Sequence, residues 1–142
     1  MRVGILLLAD SAEAIDGKLY TLGAGWNMLR FPELPAPWSF SIALGLDVPW
    51  DSTNRRHSLA LRIDDPDGET LGDSFAMDIE AGRPPGAVQG QDQRIVFALG
   101  TQLEFERAGP HAVIVSVGGE EIGRSRFYVV EVESEGFPPP GF

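Results

Sequence analysis

The run Phe40-Ser41-Ile42-Ala43-Leu44-Gly45-Leu46-Asp47-Val48 places a large apolar side chain at every second position and small or polar ones between. Successive side chains on an extended strand point to opposite faces, so a period of two specifies a strand with one buried face. The pattern recurs. From His57 to Asp64, Leu59, Leu61 and Ile63 alternate with Ser58, Ala60 and Arg62. Phe75, Met77 and Ile79 form another inward row, as do Ile95, Phe97 and Leu99, and Val113, Val115 and Val117. Phe127 to Val132 is apolar on both faces, which predicts a central or covered strand. A helix needs a period near 3.6, and no segment of ten or more residues shows one. These rows leave little but an all-β chain.

The punctuation agrees. Asp67-Gly68 and Gly118-Gly119 sit between strands and suit positive φ, the requirement of tight hairpins. Short strands divided by turns predict an antiparallel sandwich. Gly109-Pro110-His111, the valine row, Gly118-Gly119 and Phe127-Tyr128-Val129 resemble the last hairpin of immunoglobulin-like sandwiches, so the expectation is an immunoglobulin-like fold. His111 stands where that fold commonly has Tyr, and a tyrosine-corner bond is therefore not assumed. One short helical turn is predicted near residues 10 to 15. There Asp10-Ser11-Ala12-Glu13 matches a capping box, with Asp16-Gly17 turning the chain into a strand at Lys18-Leu19-Tyr20-Thr21-Leu22. Lys18, the single lysine, is expected as a salt-bridge partner or edge charge, not a catalyst.

With 142 residues the chain fits a single domain, assigned to 1–135, followed by a Pro/Gly-rich tail at 136–142. Phe137-Pro138-Pro139-Pro140 suits polyproline II and could dock in a partner's groove or simply fray. The net charge of −10 argues against duplex nucleic acid, whose phosphates require a basic face, and against anionic membranes. The absence of cysteine excludes disulfides, thiolate catalysis and thiolate metal sites. The N-terminal apolar run is too short for a signal-peptide core or a membrane span, so a cytoplasmic location is expected. Ten arginines against one lysine read as codon bias from a GC-rich genome.

Ala9-Asp10-Ser11-Ala12-Glu13-Ala14, then Asp16-Gly17-Lys18-Leu19 and Leu22-Gly23-Ala24-Gly25-Trp26, form a motif with Pro49-Trp50, Thr53-Asn54-Arg55, His57 and Gly82-Arg83-Pro84-Pro85-Gly86. It resembles a bacterial family known as a domain of unknown function, mostly from actinobacterial and other GC-rich genomes. The resemblance covers about residues 5 to 130. It implies no activity, cofactor or catalytic residue.

Three loops are candidate sites. Pro49 to His57 holds Trp50, Asn54, Arg55, Arg56 and His57 between two strands. Trp and Arg are enriched at binding hot spots, and loops on rigid scaffolds carry function. The alternative is a Trp50 that plugs the sandwich end above an ordinary turn. The connector 81–90 contains Arg83 and is stiffened by Pro84-Pro85, which lowers the entropy lost on docking a partner, although a structural tie-down is the favoured reading. Asp64, Asp65, Asp67 and Glu69 are weak calcium candidates, because Asp-Pro-Asp-Gly is also a plain β-turn and EF-hand spacing is absent. His57 and His111 are the only histidines, and neither lies in a recognisable catalytic or metal motif.

The expected function is a non-enzymatic module without cofactor. It binds another protein through loop 49–57, with 81–91, or through an open edge strand that also permits homo-oligomers. The alternative is a calcium- or carbohydrate-binding C2-like module.

Overall fold

The computed structural model describes residues 1–132; the tail assigned to 136–142 lies outside the described residues. The described chain is strand almost throughout: β1 (Arg2–Ile15), β2 (Lys18–Ala24), β3 (Met28–Phe31), β4 (Ala36–Val48), β5 (Arg56–Asp64), β6 (Thr70–Glu80), β7 (Gln93–Phe105), β8 (Gly109–Val117) and β9 (Glu120–Glu131). One turn of 3-10 helix occupies Trp50–Ser52. The strands form two sheets, ordered β2-β1-β4-β7 and β3-β9-β8-β5-β6. Every pairing is antiparallel except β3 with β9, which is parallel.

The alternation decides which side chains meet. Leu8, Phe40, Ile42, Leu44 and Leu46 from the first sheet pack against Leu59, Leu61, Val113, Val115, Phe127 and Val129 from the second. Each such side chain taken fully out of water contributes roughly 1.5–3 kcal/mol. At one end of this core, Phe31, Phe40, Phe105, His111, Phe127 and Trp26 form an aromatic cluster with centroids 5.4–6.4 Å apart, edge-to-face or tilted except for the stacked pairs Phe31–Phe105 and His111–Phe127. Ring quadrupoles favour those arrangements over face-to-face sandwiches.

Three expectations are corrected. The stretch from Asp10 to Ile15 is not a helical turn. It continues β1 and pairs with β2 from Ala9↔Ala24 to Ile15↔Lys18. An isolated helical turn fixes several residues for one hydrogen bond. A strand partner two residues beyond the Asp16-Gly17 turn satisfies the same backbone at lower cost. Asp16 (φ 51°) and Gly17 (φ 74°) both take the left-handed conformation of a two-residue hairpin. Second, β4 is buried on both faces from Phe40 to Val48. Its outward residues are small, and neighbours lean over them: a Cβ on Gly45 would stand 3.1 Å from Ile5. Third, Phe75 and Met77 are 36% and 38% exposed although their alternation reads as buried; of that row only Ile79 is enclosed. β6 is the last strand of its sheet, and the first sheet does not cover this stretch of it. β9 is central, as its two-sided apolarity predicts, yet Tyr128 on its outer face stays exposed. No described helix is long and apolar enough to cross a membrane.

Candidate functional site

The two polar loops singled out in the sequence meet. The Arg83 guanidinium lies 3.8 Å from the centroid of the Trp50 ring. Its Nη2–H donates to the Trp50 carbonyl at 2.9 Å, and its Nε–H donates to Thr53 Oγ1 at 2.7 Å. The Thr53 hydroxyl in turn donates to the Trp50 carbonyl at 2.6 Å. Asn54 takes a left-handed φ of 58°, and its N–H donates to the Ala81 carbonyl at 2.7 Å, which stitches the loops together. His57 Nε2 donates to the Ser52 carbonyl at 2.8 Å. Trp50, Asn54, His57 and Arg83 are thus gathered at one end of the molecule, where they bond within and between the two loops. Arg55 and Arg56 are exposed and make no ion pair among the described residues.

The acidic loop is also occupied. Asp64 accepts from Arg62 Nε at 3.2 Å and from the Thr70 hydroxyl at 3.0 Å. Asp65 Oδ1 accepts the N–H groups of Asp67 and Glu69 at 2.8 and 3.0 Å. Asp67 pairs with Arg107. Among the described residues no group of three or more His, Asp or Glu side chains converges as metal ligands would. His111 does not sit at an open strand end. It is 1% exposed, stacked on Phe127 and edge-on to Phe105. Nδ1 donates to the Gly109 carbonyl at 3.0 Å, while Nε2 is buried without a partner. Burial pushes its pKa below the ordinary 6.5, against the pull of the Gly109 carbonyl and the Asp65 charge.

A further open feature was not singled out in the sequence. Among the described residues β6 pairs only with β5, and β7 only with β4, so each presents an edge with no described partner. Between them a hollow of about 290 Å³ reaches the core residues Ile42, Leu44, Leu59 and Leu61, with Phe75, Met77, Phe97 and Leu99 as its walls. A second hollow of about 440 Å³ shares Met77 and Phe97 and runs on to Asp78, Glu80 and Arg94, with Ala14 and Gly17 of the β1–β2 hairpin at its rim. The two make one slot, apolar inside and charged at one end. Arg94 is held there by Asp47, which also receives Arg2 Nε at 3.4 Å. The Arg94 hydrogen bond holds the Asp47 carboxyl below its usual range, more than burial raises it. Gly4 leaves room for this pair, since a Cβ there would stand 2.6 Å from the Arg94 guanidinium. The alternation of Phe75 and Met77 cannot reveal the slot, because an open and a covered strand share the same period. The available signal was the long, breaker-rich connector after β6, which is not a hairpin loop and lets the chain change sheets.

A profile for a family of unknown function, DUF6941, matches residues 4–130. The chain belongs to this family. No curated protein matches the DUF6941 chain in sequence. A solved structure that resembles it is the Pseudomonas fluorescens alkylpurine DNA glycosylase AlkC bound to DNA containing an abasic site analog, at 18% identity and a TM-score of 0.42. The match covers 72% of this DUF6941 chain and 27% of the glycosylase chain, so part of this chain compares with a smaller part of that enzyme. At that level of likeness neither fold nor activity transfers.

Proposed function

We propose that this DUF6941 chain is a non-enzymatic interaction module that takes an extended segment of a partner protein into the slot between β6 and β7. The observation that carries it is two strand edges, unpaired among the described residues, on either side of an apolar, solvent-open slot. A free edge offers a row of backbone donors and acceptors, and natural proteins commonly blunt or cover such edges. An added strand would pair with them, while its alternate side chains fill the slot. The slot favours Val, Ile, Leu or Phe at every second position. Asp78 and Glu80 at its end, on a chain of net charge −10, favour Lys or Arg at the positions between.

Within this proposal the fold is an immunoglobulin-like sandwich with one flank open. Its two largely antiparallel sheets and the Gly109-Pro110-His111 opening of β8 support that assignment. The non-enzymatic role is supported by how Thr53, His57 and Arg83 are used: they bond to one another and to the backbone. A cytoplasmic setting is supported by the cysteine-free sequence. Loop 49–57 ranks second as an interface because Arg83 covers a face of Trp50.

Selection of a random peptide display library on the full chain tests the proposal. Alternately apolar sequences with interspersed Lys or Arg should be enriched, and Phe75→Asp with Met77→Asp should abolish their binding. Both side chains are already more than a third exposed, so the double variant should keep its fold. Binders without alternation, or binders indifferent to the double variant, would overturn it.

A further inference from the structure

At the opposite end of the second sheet from β6, the short edge strand β3 borders another groove. It measures about 240 Å³ and is lined by Asp10, Trp26, Met28, Arg30, Phe31 and Trp38. Trp38 is 40% exposed and Met28 38%, and Phe31 holds Trp38 edge-on at 5.8 Å. Two polar groups here have no partner among the described residues. The Trp26 indole N–H is buried without an acceptor. The Asp10 carboxylate, exposed beside the groove, makes no ion pair.

From this we infer that the groove is a second docking site, for a proline-rich, cation-bearing segment of a partner protein. Two features select that chemistry. Aromatic walls accept pyrrolidine rings, and a polyproline II segment loses little entropy on docking because it is already extended. Asp10 calls for a cation. Arg30 lines the same groove, but the net charge of −10 makes the wider field attractive to cations. The chain's own Phe137-Pro138-Pro139-Pro140-Gly141-Phe142, outside the described residues, has the prolines and no cation for Asp10. The chemistry therefore favours a segment from another protein.

Calorimetric titration of the full chain with synthetic peptides tests this independently of the β6–β7 slot. One peptide carries Pro-Pro repeats and an Arg, a second replaces the Arg by Glu, and a third is proline-free. The Arg peptide should bind, and Trp38→Ala should weaken it by about tenfold or more. Asp10→Asn should weaken it by about threefold and remove most of its preference over the Glu peptide. Phe75→Asp with Met77→Asp should leave it unchanged. No binding at about 1 mM peptide, equal binding of all three peptides, or indifference to Trp38→Ala would overturn the assignment. Replacing Pro138, Pro139 and Pro140 by Ala distinguishes the sources. If that variant bound the Arg peptide at least about tenfold more tightly, the chain's own segment would be the occupant and the partner assignment would fall.

Discussion

His111 should make the protein lose stability as the pH falls through the range where an ordinary histidine gains its proton. The imidazole is 1% exposed between Phe105 and Phe127, and burial holds its pKa below 6.5. The folded state therefore prefers the neutral ring, while the unfolded chain takes up the proton at the usual pH. Stability is fully present above about pH 6.5 and declines below it. If the folded ring stays neutral throughout, integrating one proton from pH 7.5 to pH 5 gives a loss of up to about 2 kcal/mol. For a chain of this size that moves a urea midpoint by about 1 M. Relief of self-repulsion on acidification acts in the opposite direction, since the net charge is −10. That term is common to the wild type and a His111→Phe variant, so their difference isolates the imidazole. The assay is urea unfolding followed by tryptophan emission at half-unit steps of pH. The wild type should weaken towards pH 5 relative to His111→Phe, whatever the variant's starting stability. Parallel profiles, or a wild type whose loss persists in the variant, would refute the reasoning.

Phe127, fully buried against Trp26, Phe40, Phe105 and His111, should cost about 3–5 kcal/mol as Phe127→Ala, read from the urea midpoint. Arg83→Met keeps an aliphatic stem but loses the contact over Trp50 and two hydrogen bonds; at this exposed site the loss should be about 1 kcal/mol, with a red shift of Trp50 emission. Asp47, whose pKa is lowered chiefly by Arg94, contributes stability that is present above the ordinary carboxylate range and lost as pH falls below about 4. Asp47→Asn should flatten the acid limb of a circular-dichroism titration there while leaving the His111 window unchanged.

The strands were legible because a period of two is a local signal. Leu59, Leu61 and Ile63 declare their face without reference to any partner. The turns at Asp16-Gly17 and Gly118-Gly119 were legible for the same reason, since positive φ selects a few residue types. What escaped depends on which strand lies next to which. Asp10 to Glu13 has a helix-start pattern, yet a strand partner arriving from Lys18 decides its conformation. Phe75 and Met77 alternate as core residues do, and only the sheet order shows that no strand covers them. Trp50 and Arg83 were each suspected as binding groups, but their mutual contact links positions 33 residues apart that neither loop reveals alone. His111 could not be placed either, because its burial is set by rings from β7 and β9.

The parallel pairing of β3 with β9 sets a schedule for synthesis. Met28 registers with Tyr128, one hundred residues later. At ribosomal rates of about 5–20 residues per second, β3 waits roughly 5–20 seconds for its neighbour to be made. Through that interval Leu29 and Phe31, both buried in the finished protein, have no sheet to join. Slowing its translation should therefore lengthen the exposure of the nascent chain to aggregation before the last strand closes the fold.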